Sequence, residues 1–290
     1  MGKRAVSVSS LVILLALLSF IMEVCIYYFV PQHIVAVLVA MVVSVVLSHY
    51  FLEMTLDYDS CFLFASFMTI SSAAFCIIVY LLQPNPWITF DYSLLVLVLV
   101  NWLFPFVYCF LRDFADRGPR FDGYIFFFHA MSAVFAVVYG LAVMKQFFVT
   151  PIEPPYEAVA MGAHSFVPFM STGTYIELVL NQGKSLTTIL AYILEVIVFA
   201  IPFGFYARVY TRFFSRGIRL LTYILVPFLV ELLQILTGRG RGDIDDFALA
   251  MIGTLIGIAI YHLVYAACDE VNKRDFLEDR TVNKSLLFHF

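Results

Sequence analysis

Apolar residues run through this chain in long unbroken blocks, separated by short polar breaks. The blocks lack the one-sided periodicity of a soluble amphipathic helix. Eight are legible, near residues 8–30, 32–52, 60–82, 89–111, 124–148, 187–207, 219–237 and 246–267. Each has the length, roughly twenty residues, that a helix needs to cross the hydrocarbon core of a bilayer. The pattern predicts an all-α fold, a polytopic transmembrane helical bundle of about eight spans. The breaks carry turn chemistry: Pro31 after the first block, Pro84-Asn85-Pro86 after the third, Gly118-Pro119 between the fourth and fifth. One break is much longer. Residues 149–186 hold Pro151, Pro154, Pro155, Gly162, Pro168, Gly173 and Gly183. A connection of that length is uncommon and is often functional. Within it Ser165-Phe166-Val167-Pro168-Phe169 is apolar and reads as an interfacial or re-entrant piece.

Composition sharpens this picture. Of 290 residues, 62% are hydrophobic and 13% charged, about half the charged share of a soluble domain. The net charge of −4 says little, because charge in such a chain matters by side of the membrane. No basic surface for nucleic acid is legible. The five cysteines form no C-x-x-C pair, which argues against a disulfide framework or zinc site. Nothing points to a cofactor. The start, Met1-Gly2-Lys3-Arg4 and then an apolar run, lacks a small-residue cleavage site and reads as an uncleaved first span. Trp87 and Trp102 are expected near the membrane interfaces.

Basic residues set the expected orientation. With eight spans both termini share a side, and all but four of the 17 Lys and Arg fall on it. The exceptions are Lys145, Lys184, Arg239 and Arg241. The positive-inside rule then places both termini in the cytoplasm and residues 149–186 and 238–245 outside. The helical series Arg208, Arg212, Arg216 and Arg219 would anchor the cytoplasmic face to anionic lipid.

The chain divides by content. Residues 1–122 form an N-terminal four-span membrane module without a motif, in which Glu23, His33 and His49 are isolated. That stretch reads as a packing module. Residues 123–268 form a second membrane domain with the outer loop 149–186, and residues 269–290 a cytoplasmic tail. In the second domain the polar residues concentrate: Glu231-Leu232-Leu233-Gln234, then Gly238-Arg239-Gly240-Arg241-Gly242-Asp243-Ile244-Asp245-Asp246, then Gly253 and Gly257. Ionisable groups at membrane depth are costly and mark functional candidates. Glu231 and Gln234, three apart, share a helix face with Pro227 and Tyr223. Asp246, Ala250, Gly253 and Gly257 form one narrow stripe, and Gly253-x-x-x-Gly257 lets a neighbouring helix approach closely. Glu231 is expected to pair with Arg239 and Gln234 to reach the carboxylates, while Asp243 or Asp245 caps the last helix.

Three uses of this cluster fit its residue types. It is an ionic network pinning two helices, an outer-leaflet pocket in which Arg239 holds an anionic headgroup, or a hydrolytic or transferase site. The last is the weakest, since no nucleophile–base pair is evident. Glu195, near the middle of span six, is expected to face other helices, either as a packed carboxyl or in a polar pathway. The scattered His129, His164 and His262 suggest no metal site, and the aspartates follow no calcium-loop pattern.

From residue 124 onward the chain resembles the VanZ-like family of bacterial membrane proteins. The resemblance rests on Val167-Pro168-Phe169, Ala200-Ile201-Pro202-Phe203-Gly204 and Glu231 to Gln234. It continues through Gly238-Arg239, Asp243-Ile244-Asp245-Asp246, Gly253 and Gly257. The family pattern carries Asn at three places where this chain has Ser165, Val196 (after Glu195) and Ala250. The resemblance implies a bacterial inner-membrane protein of the cell envelope that lowers sensitivity to teicoplanin, a lipid-tailed glycopeptide. Its expected partner is a membrane lipid or lipid-linked envelope precursor, held by Glu231, Gln234, Arg239, Asp243, Asp245, Asp246 and Glu195. An integral-membrane enzyme or transporter acting on a lipid, or a structural subunit without ligand, are the rival readings.

Overall fold

The computed structural model describes residues 2–82, 92–115, 121, 123–144, 147–148, 166–183, 185–237, 242–272 and 277. Among them the fold is helical throughout, without strands. The helices are α1 (Gly2–Phe29), α2 (His33–Thr55), α3 (Asp59–Leu82), α4 (Tyr92–Ala115), α5 (Tyr124–Met144), α6 (Met170–Gln182), α7 (Leu186–Tyr210), α8 (Arg216–Thr237) and α9 (Ile244–Asn272). All except α6 are long and apolar enough to cross a membrane, giving eight candidate spans. Their bounds follow the eight apolar blocks of the sequence closely. A bilayer offers backbone amides no water, so each crossing segment closes its hydrogen bonds within one helix.

The chain forms two compact units, Met1–Phe135 with Cys268–Phe290, and Ala136–Ala267. In the first, α1, α2, α3 and α4 pack on one another. Tyr27, Ala36, Cys76 and Leu94 form one buried cluster, and Val37, Ala40, Leu97 and Val100 another. Trp102, expected at an interface, is buried instead and stacks on Phe106 and Phe135 at ring distances of 5.8 and 5.7 Å. It follows Asn101 near the middle of α4, where the neighbouring helices supply aromatic faces. Trp87, the other ring expected near an interface, lies outside the described residues.

Residues 1–122 are also less featureless than their sequence. His49 hydrogen-bonds the Tyr108 hydroxyl at 2.7 Å. The His33 ring lies 4.4 Å from that of Tyr27. Glu23 sits in a fully buried polar cluster. None of the three is isolated.

In the second unit, α7 and α9 touch backbone to backbone. A Cβ on Gly204 would fall on the Thr254 carbonyl oxygen, one on Gly253 on that of Ile197, and one on Gly257 on that of Ile201. The small-residue stripe therefore does what its spacing predicts, and its neighbour is α7. Helices in lipid gain nothing from hiding apolar surface, so close van der Waals approach of this kind holds them.

The helix α6 departs from expectation. It occupies the second half of the segment predicted as an outer loop, and Gly183 closes it in the left-handed region at φ 65°. Residues 149–165 lie outside the described residues.

Candidate functional site

The site grows from the start of α9. Asp243 immediately precedes this helix, and its carbonyl accepts the first helical hydrogen bond, from Phe247 N–H at 3.1 Å. Its Oδ1 accepts from the Asp245 N–H at 2.9 Å. That is N-cap geometry, in which a carboxylate satisfies an amide the helix cannot. Asp243 is thus the cap of the pair proposed from sequence.

Asp245, two residues on, caps a different helix. Its Oδ1 accepts from Phe169 N–H at 2.6 Å, and its Oδ2 from Thr172 N–H and Thr172 Oγ1, both at 3.0 Å. Phe169 precedes α6 and offers no capping side chain of its own. Asp245 supplies from a distant part of the chain the acceptor that Ser, Thr or Asp at position 169 would have supplied locally. Ser171 Oγ makes a short hydrogen bond to Asp243 Oδ2. The two aspartates thereby fasten the start of α6 to the start of α9. Phe169 itself has φ 63°, a left-handed conformation rare for a side chain of this size. The three donors gathered by Asp245 hold the segment in that shape.

Asp246 takes a third role. Its Oδ1 accepts from the Tyr192 hydroxyl at 2.5 Å, and the Tyr192 ring stacks on Tyr175 at 4.3 Å. Three elements, α6, α7 and α9, therefore meet at the Asp-Ile-Asp-Asp sequence.

Glu231 faces the same place from α8. The buried face of α8 is Tyr223, Pro227, Glu231 and Gln234, as the helical spacing predicts. Glu231 Oε2 accepts from the Asp243 N–H at 2.8 Å. Its neighbour Gly242 leaves no room for a Cβ, which would meet the Ile235 side chain. Arg239, the expected partner of Glu231, lies outside the described residues, as do Gly238, Gly240 and Arg241. Gln234 differs from expectation. Rather than reaching the carboxylates, its Nε2 donates to the Phe147 carbonyl at 3.1 Å. The oxygens of Asp243 and Asp245 are already taken up by amides and hydroxyls. Gln234 Oε1 is buried and has no partner among the described residues.

Below these groups lies a cavity of about 180 Å³. Tyr139, Phe147, Phe199, Phe203, Val226 and Val230 are among the apolar side chains that wall it, and Glu231 is the charged one. The Tyr139 hydroxyl donates to the Phe199 carbonyl at 2.6 Å, so this wall spends its polar group on the chain itself. Val196 and Ala250 also line the cavity.

Glu195 is exposed on α7 and does not line the cavity. Val196, Phe199 and Ala200 take the inward face. One residue is about 100° of helix rotation, so Val196 inward turns Glu195 out.

Sequence reasoning found the carboxylates but missed Ser171, Thr172, Tyr192 and Tyr139. No spacing links them to the acidic segment. The Pro168-Phe169 pair of the resemblance was the available signal for the first two.

Residues 124–265 match the family model described as VanZ/LLP1, which covers that segment of the chain. No curated protein and no solved structure matches the chain. The matched segment contains Glu231, Gln234, the three aspartates and both ends of the α7–α9 glycine contact. Residues 124–265 of this multi-pass membrane protein are a VanZ-like segment.

Proposed function

We propose that the VanZ-like segment binds the apolar part of an amphiphile in the cavity between α5, α7, α8 and α9, as a protein of the bacterial cell envelope. The observation that carries this reading is the cavity itself: an apolar space of about 180 Å³ inside a helical unit, with Glu231 at its wall. Apolar cavities of roughly 150 Å³ accept a benzene-sized ligand, so this one suits a ring or a short stretch of acyl chain. It does not enclose a whole lipid. The headgroup then lies beyond the acidic rim, where Arg239 and Arg241 are the cationic candidates. The orientation from basic residues puts this rim at the outer leaflet, with both termini cytoplasmic.

The resemblance adds direction. At two places where the family pattern has Asn, this chain has Val196 and Ala250, and both line the cavity. An apolar wall there favours an apolar tail over a polar ligand. A lipid-tailed glycopeptide such as teicoplanin, or a lipid-linked envelope precursor, has the required chemistry.

A second reading rests on a different observation. The carboxylates of Asp243 and Asp245 are occupied by donors from their own chain. This favours a structural tie over a headgroup site at those two residues.

The test fills the cavity. Ala250→Leu adds a branched side chain to its wall while leaving every hydrogen bond described above in place. Binding of a photoactivatable acyl-chain probe to the purified protein in nanodiscs is expected to fall at least tenfold. Protection of cells against teicoplanin is expected to fall with it, at unchanged melting temperature. Unchanged probe binding in a normally folded variant removes the cavity as the site. Lost binding with unchanged teicoplanin sensitivity keeps the cavity and rejects the glycopeptide.

A further inference from the structure

The first unit holds a polar cluster that neither the sequence nor the VanZ-like match assigns. Glu23 on α1, Ser44 on α2, Ser72 on α3 and Asn101 on α4 converge from four helices, each 0 or 1% exposed. Ser44 is the midpoint of α2, so the cluster sits within the apolar span, far from either end.

Its hydrogen bonds have a direction. Ser44 Oγ donates to Asn101 Oδ1 at 3.3 Å. Asn101 Nδ2 donates to Glu23 Oε2 at 2.9 Å and to Ser72 Oγ at 2.6 Å. Ser72 Oγ donates in turn to the Met68 carbonyl at 2.6 Å. Asn101 is the hub, and both its amide hydrogens are used. Donation ends at Glu23, whose second oxygen, Oε1, is buried and has no partner among the described residues. Three more buried polar atoms without partners among the described residues, Ser48 Oγ, Thr69 Oγ1 and Trp102 Nε1, lie within a helical turn in sequence of Ser44, Ser72 and Asn101 respectively.

Among the described residues no Lys or Arg is bonded to this carboxyl. The sequence contains neither Lys nor Arg between Arg4 and Arg112. Arg112, at the end of α4, is bonded to Glu53 at 3.0 Å. The nearest titratable side chains along the same helices are Cys25 on α1, His49 on α2, Cys76 on α3 and Tyr108 on α4, and none carries a permanent positive charge. A buried charge without a partner is strongly destabilising. Among the described residues nothing neutralises the carboxyl, which leaves its open oxygen to a ligand.

The charge count selects the ligand class. The cluster holds one carboxyl beside two neutral hydroxyls and one neutral amide, so a monovalent cation leaves it neutral and a divalent one leaves it charged. Oxygen-only donors suit a hard cation and not a soft metal. We propose that Glu23, Asn101, Ser44 and Ser72 form an intramembrane site for a small monovalent cation, a proton or Na⁺, taken up at Glu23 Oε1. The two candidates share the same oxygen and exclude one another there.

Infrared difference spectroscopy of the full-length protein in nanodiscs tests this. The readout is the C=O stretching band of a protonated buried carboxyl, assigned to Glu23 by its disappearance in Glu23→Gln. Should that variant not fold, Glu23→Asp assigns the band by shifting it. In the wild type the band is expected at acid pH and is expected to shift in D₂O. It then disappears in one of two ways. Loss on raising pH in choline chloride, with no effect of NaCl, identifies a proton site. Loss on replacing choline by Na⁺ at fixed pH identifies a site at which Na⁺ displaces the proton. A Glu23 band that does not shift in D₂O overturns the proposal. So does one that persists through both titrations while the protein stays folded, or the absence of any such band at acid pH.

Discussion

The two units of this protein solve the problem of helix packing in lipid in different ways. The largest fully buried side chains among the described residues lie in the first unit. They include Tyr58, Phe51, Phe64, Met68 and Leu97 in α2–α4 and the connections between them, and Tyr124, Phe127, Phe128 and Met131 in α5. The second unit buries small groups instead. Ala200 and Val196 face inward, and Gly204, Gly253 and Gly257 bring backbones into contact. Polar groups divide the same way. Asp245 in the second unit gathers three donors on two oxygens. Glu23 in the first gathers one donor and leaves an oxygen open. An oversubscribed carboxylate ties segments together, and an undersubscribed one is available to a ligand.

The sharpest way to break this comparison is to give the second unit the large side chains of the first. A Cβ at position 257 lands on the Ile201 carbonyl and close to the Phe205 amide, both backbone groups that cannot rotate away. Gly257→Leu is expected to cost about 3 kcal/mol or more, the upper end for overpacking. The measured outcome is loss of monodisperse protein on size exclusion and a large drop in melting temperature. Leu97→Ala in the first unit leaves a cavity instead, at about 2–5 kcal/mol. A Gly257→Leu protein melting with wild type would show that backbone contact is not what joins α7 to α9.

The next effect compares the two carboxylates by the same chemical change. In Asp245→Asn one oxygen becomes an NH₂ group facing amide or hydroxyl donors, and at least one donor is stranded. The expected cost is about 1–3 kcal/mol. In Glu23→Gln the amide oxygen still accepts from Asn101, and its NH₂ occupies the place of the open oxygen. Its melting temperature is expected to stay within a few degrees of wild type. Equal destabilisation by both substitutions would erase the distinction between tied and open carboxylates.

These contrasts were unevenly visible in the sequence. Spans were legible because lipid demands contiguous apolar runs, and the faces of α8 and α9 were legible because helical spacing fixes them. The role of Asp243 followed from its place before an apolar helix. What stayed hidden depends on partners far along the chain. The acceptor for Thr172 is 73 residues away and that for Gln234 is 87 away, so α6 looked like loop. The Glu23 cluster takes one residue from each of four helices, and no local pattern marks it. The place of Glu195 outside the cavity wall was hidden for another reason: periodicity alone does not choose which side of a uniformly apolar helix turns inward.

The smallest effect is the most informative about the segment before α6. Phe169 holds φ 63°, where a non-glycine residue is disfavoured by about 1–2 kcal/mol, yet its ring is largely exposed. Its N–H, not its ring, makes the bond to Asp245. Phe169→Gly keeps that bond and removes the steric cost, so the purified protein is expected to melt slightly higher, by about 1 kcal/mol. If Phe166, Val167 and Phe169 seat this segment in the membrane interface, the same substitution lowers teicoplanin protection or acyl-probe binding while stability rises. Pairing it with Phe169→Ala separates the two effects: alanine removes the ring but keeps most of the strain. Activity lost in both, with stability gained only in glycine, assigns the ring to function and the backbone to Asp245. Activity kept in both makes the exposed ring dispensable and leaves the tie between α6 and α9 as the sole role of the segment.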